Sequence, residues 1–359
     1  MELPNHGANP LRLYKQAGIS LPQQIFDFSE NVYPFGPPAF LAERWPEMLD
    51  LVGSYPDPDG EPFRTAAAKF HEVAPGQVAA GNGAAEVFTW LAKRYRSRRV
   101  VLVEPAFSEY RQTLETENVQ IKTIQLQAEN KWQLTVQDVQ SAIPGCAALY
   151  ICNPHNPTGV LLDTETLREI AGACLENNCE LVLDEAFIDF IGEQASFMPL
   201  LRNFPNVIIV RSMTKMYAIP GLRLGYVISQ AETIRELKQG TAHWNVNALS
   251  AAIGADCLQA SAYRDKVIRA AIEQRQNMQR FLTANNCPTS NSKANFLAFQ
   301  LPDPSLSDKF FRDLLKAGIV LRHTESFLGM DGKWFRIGMK SAARMEILRE
   351  AIAGWLEAN

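Results

Sequence analysis

The sequence has few of the features that mark secreted, membrane-spanning or nucleic-acid-binding proteins. Its six cysteines form no CxxC pair and lie at no zinc-finger spacing from histidines, so we predict neither a disulfide framework nor a metal site. No apolar run approaches the roughly 18–20 residues of a membrane span, and the first residues, MELPNHGANP, do not have the pattern of a secretory signal. The formal net charge of −4 gives no reason to expect nucleic acid or an anionic membrane as a partner. These absences predict a cytoplasmic location with reduced thiols.

The composition and the order of segments predict an α/β protein with a large domain and a smaller one. The 359 residues are 47% hydrophobic and 21% charged, enough for a large domain and a smaller one. From about residue 61 to 230, helical patterns alternate with short apolar strands, which indicates a mostly parallel central sheet flanked by helices. A long helical stretch over 246–284 then leads into a smaller α/β C-terminal domain. We predict an irregular, Pro-rich N-terminal arm (1–45), a large domain (46–245), and the interdomain helix with the small domain (246–359).

Polar or glycine-rich motifs follow four of the predicted strands. They are GNGAAE, NPHNPTG, DEAF and SMTK. Ligands of parallel α/β sheets bind at the carboxyl ends of the strands. The four motifs therefore predict one shared cleft, and their convergence is more specific than any motif alone.

Lys215 stands in an unusual segment, SMTKMYAIPGLRLGY, which is otherwise mostly apolar or turn-forming. One interpretation is a solvated lysine near a loop, the usual place for lysines. The other is an amine kept neutral by burial so that it can form a Schiff base. Lys215 alone does not decide between them.

The neighbouring motifs supply groups that suit one cofactor. Asp184 ends a nearly all-apolar strand, where a carboxylate needs either an arginine or another cation such as a protonated ring nitrogen. Asn156 of NPHNPTG is able to donate to a phenolate-like oxygen. An anion cup is predicted from the start of a helix together with a hydroxyl and a guanidinium; its residues are Gly83, Ala84, Ser212 and Arg223. A lysine, an aspartate, an asparagine and a phosphate cup together describe pyridoxal 5′-phosphate, PLP.

These motifs resemble the fold-type I PLP-dependent enzymes of the aminotransferase class. The spacing agrees: 28 residues separate Asn156 from Asp184, 31 separate Asp184 from Lys215, and 8 separate Lys215 from Arg223. The resemblance implies the fold-type I PLP-dependent transferase fold. It also implies that Lys215 is the Schiff-base lysine and that Asp184 keeps the ring nitrogen protonated.

The same resemblance assigns aromatic residues and a partner. Phe107 is similar to the residue that stacks on the ring. Tyr55 is similar to the tyrosine that one subunit lends to the cofactor phosphate of the other, which implies a homodimer. Phe187 is a departure, because many members have a tyrosine there, whose hydroxyl also bonds the ring oxygen.

The N-terminal region narrows the resemblance. HGAN (residues 6–9) and IFDFSENVYPFGPP resemble the threonine-phosphate decarboxylases of cobalamin biosynthesis. The resemblance implies that the substrate carboxylate and phosphate are surrounded by His6, Gly7, Asn31, Arg322 and Arg336. Two positions depart from the pattern. Ala8 replaces a glycine and adds a methyl group, and Tyr33 replaces an asparagine and either alters the pocket or packs at its rim.

The implied reaction is decarboxylation of L-threonine 3-O-phosphate to (R)-1-aminopropan-2-yl phosphate. The first alternative is a histidinol-phosphate-type aminotransferase, which shares nearly every cofactor residue and also takes a phosphorylated amine. A second alternative is a non-catalytic PLP-binding domain like those fused to transcription regulators. No DNA-binding segment or basic patch accompanies this sequence, and Lys215 is present, which disfavours that alternative.

Overall fold

The structure is a computed structural model and describes residues 3–4 and 6–359. Its helices are α1 (Pro10–Ala17), α2 (Phe40–Met48), α3 (Phe63–Phe70), α4 (Ala84–Arg94), α5 (Ser108–Thr116), α6 (Val136–Ala142), α7 (Thr164–Glu176), α8 (Ala231–Leu237), α9 (Ala248–Gln259), α10 (Ser261–Ala284), α11 (Ser307–Lys316) and α12 (Ala342–Glu357). Its strands are β1 (Phe26–Asp27), β2 (Val78–Asn82), β3 (Arg99–Glu104), β4 (Gln120–Gln125), β5 (Ala148–Cys152), β6 (Glu180–Asp184), β7 (Val207–Ser212), β8 (Leu224–Ile228), β9 (Phe296–Gln300), β10 (Ile319–Val320), β11 (Arg322–His323) and β12 (Trp334–Gly338).

The central sheet has the strand order β2-β8-β7-β6-β5-β3-β4. Strands β4, β3, β5, β6 and β7 are parallel to one another, whereas β8 runs antiparallel to its two neighbours, β7 and β2. The prediction of a mostly parallel sheet flanked by helices is therefore confirmed. The carboxyl ends of β5, β6 and β7 lie side by side, which brings three of the predicted motifs to one edge of the sheet.

Both faces of this sheet are buried. In β3, Val100 and Leu102 pack into one hydrophobic cluster and Val101 and Val103 into another on the opposite face. Strands that are covered on both sides read as continuous apolar runs rather than as alternating ones. This burial explains why the sequence of β5, ALYIC, has no polar residue.

The C-terminal part contains a second, antiparallel sheet of order β11-β12-β9 and its own hydrophobic cluster. Helix α10 links the two regions, since Val267 and Ala271 belong to the cluster of the large sheet and Met278 and Leu282 to the C-terminal one. The prediction of one helix over 246–284 is wrong in detail. The stretch is divided into α9 and α10 at Ala260, whose ψ of 61° is not helical.

The N-terminal residues are more ordered than the predicted irregular arm. Helix α1 packs into the C-terminal cluster through Leu13 and Tyr14, and the Tyr14 hydroxyl donates to the Leu315 carbonyl at 2.7 Å. Strand β1 pairs in parallel with β10. The prolines of this region had suggested irregular structure. Pro10, however, occupies the first position of α1, where a proline is tolerated. The division of the chain at 45 and 245 stays a prediction.

All six cysteines are buried and free of disulfide bonds. Five belong to the large clusters of the central sheet or lie beside them, whereas Cys287 belongs to the C-terminal cluster. Across residues 3–4 and 6–359, helices that are both long and apolar enough to cross a bilayer are absent.

Candidate active site

A cavity of about 430 Å³ opens at the carboxyl ends of the central strands. It is bounded by the central sheet on one side and by the antiparallel C-terminal sheet and N-terminal residues on the other. Every predicted site residue except Gly83 and Tyr55 lines it, namely His6, Gly7, Asn31, Ala84, Phe107, Asn156, Asp184, Ser212, Lys215, Arg223, Arg322 and Arg336. Residues from the whole length of the chain therefore converge on one site.

Lys215 lies in the loop after β7 with its side chain in this cavity. Burial lowers the pKa of its amine from 10.5 to about 8, helped by the positive charges of Arg336 and Arg223. At pH 7 such a shift enlarges the uncharged, nucleophilic fraction by about 300-fold. The geometry supports the interpretation of Lys215 as a desolvated amine in a cavity rather than as a solvated surface lysine.

Asp184 ends β6, and its side chain reaches the cavity floor. The Ala186 N–H donates to Oδ1 at 2.9 Å, and the Tyr110 hydroxyl donates to Oδ2. Burial raises the pKa of Asp184 to about 6, while these two hydrogen bonds act in the opposite direction. The carboxylate is thus costly to keep charged unless a cation faces it from the cavity.

An anion cradle forms at the start of α4. Gly83 caps this helix with a φ of 78°, in the left-handed region that favours glycine, and the Arg223 guanidinium packs so closely on it that a Cβ would overlap the guanidinium. A Cβ on Gly225 would likewise overlap the Ala84 backbone nitrogen. The glycines therefore let an arginine and a strand approach the helix N-terminus, where backbone N–H groups favour an anion.

Two hydroxyl groups complete this cradle. Ser212, at the end of β7, and Thr214 both line the cavity, and their oxygens are 2.9 Å apart. Sequence reasoning identified Ser212 but missed Thr214. β7 ends at Ser212 and Thr214 lies in the turn that follows, so the only signal was the closeness of Thr214 to Ser212 and Lys215 in the sequence.

Arg322 and Arg336 are directly opposite each other on the antiparallel strands β11 and β12. Both side chains are buried and line the cavity. Burial lowers the pKa of Arg322 to about 10 and that of Arg336 to about 9, the latter also through repulsion by Arg322. Two like charges at opposed positions destabilise a sheet, and an anionic ligand beside the guanidinium groups would reduce that repulsion.

Arg336, on β12, also forms hydrogen bonds with the loop after β5 and with the N-terminal segment after β1. Its Nη1 donates to Asn156 Oδ1 at 2.6 Å and its Nη2 donates to the Ser29 carbonyl at 2.8 Å. Its Nε is buried with no hydrogen-bond partner among residues 3–4 and 6–359. The amide nitrogen of Asn156 retains its capacity to donate to a ligand.

Arg322 is held by different groups. It donates to the Ser326 hydroxyl at 2.6 Å and to the His323 carbonyl at 2.9 Å, and its guanidinium lies 4.9 Å from the centre of the Phe327 ring. Ser326 and Phe327 also line the cavity but were not predicted. Neither carries a motif, and their role depends on a loop whose path the sequence does not indicate.

The N-terminal residues close one side of the cavity. His6 Nε2 is 3.3 Å from Glu109 Oε1, and its ring meets Phe107 edge-on at 5.8 Å. Gly7 lies so close to the Ser29 carbonyl that a Cβ would be 2.6 Å from the oxygen. Ala8 has a φ of 65°, a conformation that costs a non-glycine residue about 1–2 kcal/mol. Alanine at this position therefore costs backbone conformational energy relative to glycine, in addition to the bulk of its methyl group.

The remaining predicted positions lie as follows. Asn31 is buried, with its Oδ1 unpaired within the described chain. Tyr33 packs edge-on against Tyr263 and does not line the main cavity, although its N–H donates to the Lys215 carbonyl at 3.1 Å. Phe187 lines the cavity and meets Phe296 at 4.9 Å. Tyr55 is 83% exposed, does not line the cavity, and its ring contacts that of Trp244 at a centroid distance of 4.9 Å.

Comparisons with known proteins agree on one family. The profile of the family Aminotransferase class I and II matches residues 23–352. The chain is 34% identical to a threonine-phosphate decarboxylase of Salmonella typhimurium, over 97% of this chain and 95% of that protein. It is 28% identical to a histidinol-phosphate aminotransferase of Shouchella clausii, over 92% of this chain and 86% of that protein. The structure matches that of a histidinol-phosphate aminotransferase from Sinorhizobium meliloti in complex with PLP with a TM-score of 0.87, at 21% identity and over 97% and 95% of the two chains.

The cofactor of this family is PLP, and the residues of the cavity fit it. The cradle at the start of α4 suits a phosphate, the buried carboxylate of Asp184 lines the cavity where a cationic ring nitrogen would face it, and the Lys215 amine is desolvated. The fold is the fold-type I PLP-dependent transferase fold, as predicted. This chain belongs to the aminotransferase class I and II family of PLP-dependent enzymes.

Proposed function

We propose that this enzyme is a lyase of cobalamin biosynthesis that decarboxylates L-threonine 3-O-phosphate to (R)-1-aminopropan-2-yl phosphate. The observation that carries the proposal is the opposed pair Arg322 and Arg336, because two desolvated guanidinium groups suit a substrate with two anionic groups. The similarity to the Salmonella typhimurium decarboxylase supports the same substrate. A cytoplasmic location remains our expectation for an enzyme with six reduced, buried cysteines.

Substrate binding in this proposal is shared between the N-terminal residues and the C-terminal sheet. Arg322, Arg336, His6 and the Gly7 backbone lie around the same end of the cavity and hold the phosphate and carboxylate. Asn31 lies beside them and supplies a side-chain amide. Fixing both anions restricts rotation about the Cα bonds, and the orientation chosen decides which bond breaks.

The cofactor residues act on the other end of the substrate. Gly83, Ala84, Ser212 and Arg223 hold the PLP phosphate, Phe107 covers the ring, and Asn156 and Asp184 contact its polar edge. PLP, when bound, withdraws the electron pair that the departing carboxylate leaves on Cα. Asp184 contributes a negative charge to that end of the cavity and thereby favours a cationic ring nitrogen.

Lys215 is the proton donor of the proposed reaction. The substrate loses carbon dioxide by cleavage of the bond between Cα and the carboxylate, and Cα then takes a proton from Lys215 Nζ. A pKa of about 8 leaves most of the amine protonated at pH 7 while keeping a useful neutral fraction for nucleophilic attack. One group is thus poised for both tasks.

A histidinol-phosphate-type aminotransferase is the second candidate. The similarity to the Shouchella clausii enzyme favours it, and the same cavity accepts a phosphorylated amine. In that reaction Lys215 removes the hydrogen of Cα instead of protonating Cα after carboxylate loss. The two candidates therefore differ in which bond the anion-binding groups hold in the reactive orientation.

Carbon dioxide release distinguishes the candidates. We expect the PLP-loaded enzyme, incubated with L-threonine 3-O-phosphate and no keto acid, to release carbon dioxide over many turnovers. A Lys215→Ala variant serves as the control. O-phospho-L-serine should react with a kcat/KM lower by about 10- to 200-fold, because it lacks one methyl group.

Absence of release would contradict the proposal. If, in addition, histidinol phosphate or glutamate converted the cofactor to its pyridoxamine form, the enzyme would be an aminotransferase. Multiple-turnover release without added keto acid rules out that alternative, since transamination stops after one half-reaction.

We further propose a homodimer in which Tyr55 reaches the cofactor phosphate of the partner subunit. Tyr55, Leu49 and Val52 are largely exposed and lie close together in sequence, and the Tyr55 ring contacts the half-exposed Trp244 ring. Several large apolar side chains on one surface are typical of an interaction site. Light scattering should give about twice the chain mass of 40.1 kDa; a mass of one chain at micromolar concentration would contradict the assignment of Tyr55.

A further inference from the structure

The carboxylate of Asp184 has a second neighbour that the site predictions did not include. The Tyr110 hydroxyl donates to Oδ2, and the Ala186 N–H donates to Oδ1 at 2.9 Å. Asp184 and Tyr110 are both almost fully buried. The carboxylate is therefore held at both oxygens from within the protein, while its side chain still lines the cavity.

Tyr110 is itself rigidly placed. It lies in the first turn of α5, three residues after Phe107, which lines the cavity. Its ring meets Phe88 at 4.7 Å, Tyr150 at 5.7 Å and Phe107 at 5.7 Å. One helical turn thus positions both the aromatic ring over the cavity and the hydroxyl group on Asp184.

Among the titratable groups around Asp184, Tyr110 is the uncharged one that donates a hydrogen bond to its carboxylate. Desolvation raises the pKa of Asp184, the Tyr110 and Ala186 hydrogen bonds lower it, Glu185 raises it and Lys215 lowers it. Cys152, at the end of β5, is the other titratable neighbour of this cluster. Burial raises the pKa of both Tyr110 and Cys152 well above their ordinary values, so both stay protonated at neutral pH. Glu185 is paired with Arg211 at 2.8 Å.

We propose that Tyr110 is a positioning residue: its hydroxyl group fixes the orientation of the Asp184 carboxylate and favours its ionised form. This inference rests on the role of Asp184 in the proposed function. A neutral donor can do this without adding a charge that would repel a cationic ring nitrogen. The hydroxyl of Tyr110 acts on the cofactor only through Asp184.

The test is a Tyr110→Phe variant, which keeps the packed ring and removes the hydroxyl. Its free energy of unfolding is measured from pH 5 to pH 8.5 on the full chain freed of PLP, beside the wild type. Because folding raises the pKa of Asp184 from 3.8 to about 6, ionisation of this carboxyl costs stability in full above about pH 6, and the cost decreases as pH falls from 6 to 3.8. Loss of the hydroxyl raises the pKa further, so the extra loss appears on the alkaline side.

We expect the variant to increase the unfolding equilibrium constant, relative to wild type, about tenfold more at pH 8 than at pH 5. The same substitution in an Asp184→Asn background should show no pH-dependent part. Tyr150→Phe is the matched control, since Tyr150 is buried in the same cluster and its hydroxyl has no hydrogen-bond partner within residues 3–4 and 6–359. Its effect should be equal at both pH values.

A second readout uses the holoenzyme. The dissociation constant of PLP should rise about tenfold in Tyr110→Phe and should not rise further when Asp184→Asn is already present. An equal loss of stability at pH 5 and pH 8 would overturn the inference. That result is separate from the carbon dioxide assay, which tests the proposed reaction, so failure of one does not imply failure of the other.

Discussion

Replacement of Lys215 by alanine is expected to lower kcat/KM for L-threonine 3-O-phosphate by at least about 10⁴-fold, the upper end of the range for one acid–base group. The loss is larger than for most side chains because the chain loses its nucleophilic amine together with its proton donor. The Lys93→Ala variant is the matched control, since Lys93 is exposed on α4. Retention of more than about one hundredth of the wild-type kcat/KM in Lys215→Ala would contradict the assignment.

The same variant should not lose stability at neutral pH. In the folded chain the pKa of Lys215 is lowered from 10.5 to about 8, so the protonated form is disfavoured by folding. This penalty amounts to about 3 kcal/mol at pH 7 and fades as pH rises from about 8 to 10.5. Without PLP, Lys215→Ala should therefore be at least as stable as the wild type at pH 7 and should lose this advantage at pH 10.5. Denaturant unfolding at the two pH values measures the difference.

Replacement of Arg336 by alanine is expected to lower kcat/KM by about 30- to 5,000-fold, the range for removing one partner of a buried, hydrogen-bonded charge. The guanidinium contacts Asn156 and the Ser29 carbonyl and lies opposite Arg322. Its removal takes one cation from the anion-binding end of the cavity and leaves two acceptors without their donor. We expect most of the effect in KM, because the anions are bound before and during the reaction.

Two further variants test whether a loss of kcat/KM in Arg336→Ala comes from the missing guanidinium group itself. Arg336→Lys keeps the charge but cannot reproduce the two-pronged donation, so its kcat/KM should lie between those of the wild type and Arg336→Ala. Arg344→Ala, on the exposed side of α12, should be unchanged. A kcat/KM for Arg336→Ala within threefold of the wild type would show that Arg336 does not bind the substrate.

The sequence predicted the central sheet and the cofactor end of the cavity because both depend on local patterns. Lys215, Asp184 and Asn156 follow apolar strands, and the ends of neighbouring parallel strands must lie together. The antiparallel direction of β8 was not predictable in this way, because a short apolar run gives no information on strand direction. The break at Ala260 was also missed, because alanine is a strong helix former.

Contacts between distant segments were the least predictable part of the site. The opposition of Arg322 and Arg336 depends on the register of β11 with β12, which the loop between them and the C-terminal cluster decide. The hydrogen bond from Tyr110 to Asp184 joins residues 74 positions apart. No motif in the sequence marks Tyr110, which follows Phe107 by three residues in the first turn of α5. The roles of these residues remain proposals, which the variants above address.

The six buried cysteines allow local opening of the native chain to be measured by thiol labelling. A thiol reagent reaches a buried side chain only when its surroundings open, so the labelling rate reports the free energy of that opening. Cys152 lies beside Tyr110 and Asp184, whereas Cys287 belongs to the C-terminal cluster. Peptide mapping of the labelled sites would therefore compare the openings of the two regions without any substitution. Added PLP should slow labelling at Cys152 more than at Cys287, because a ligand that binds at the central sheet stabilises that region first.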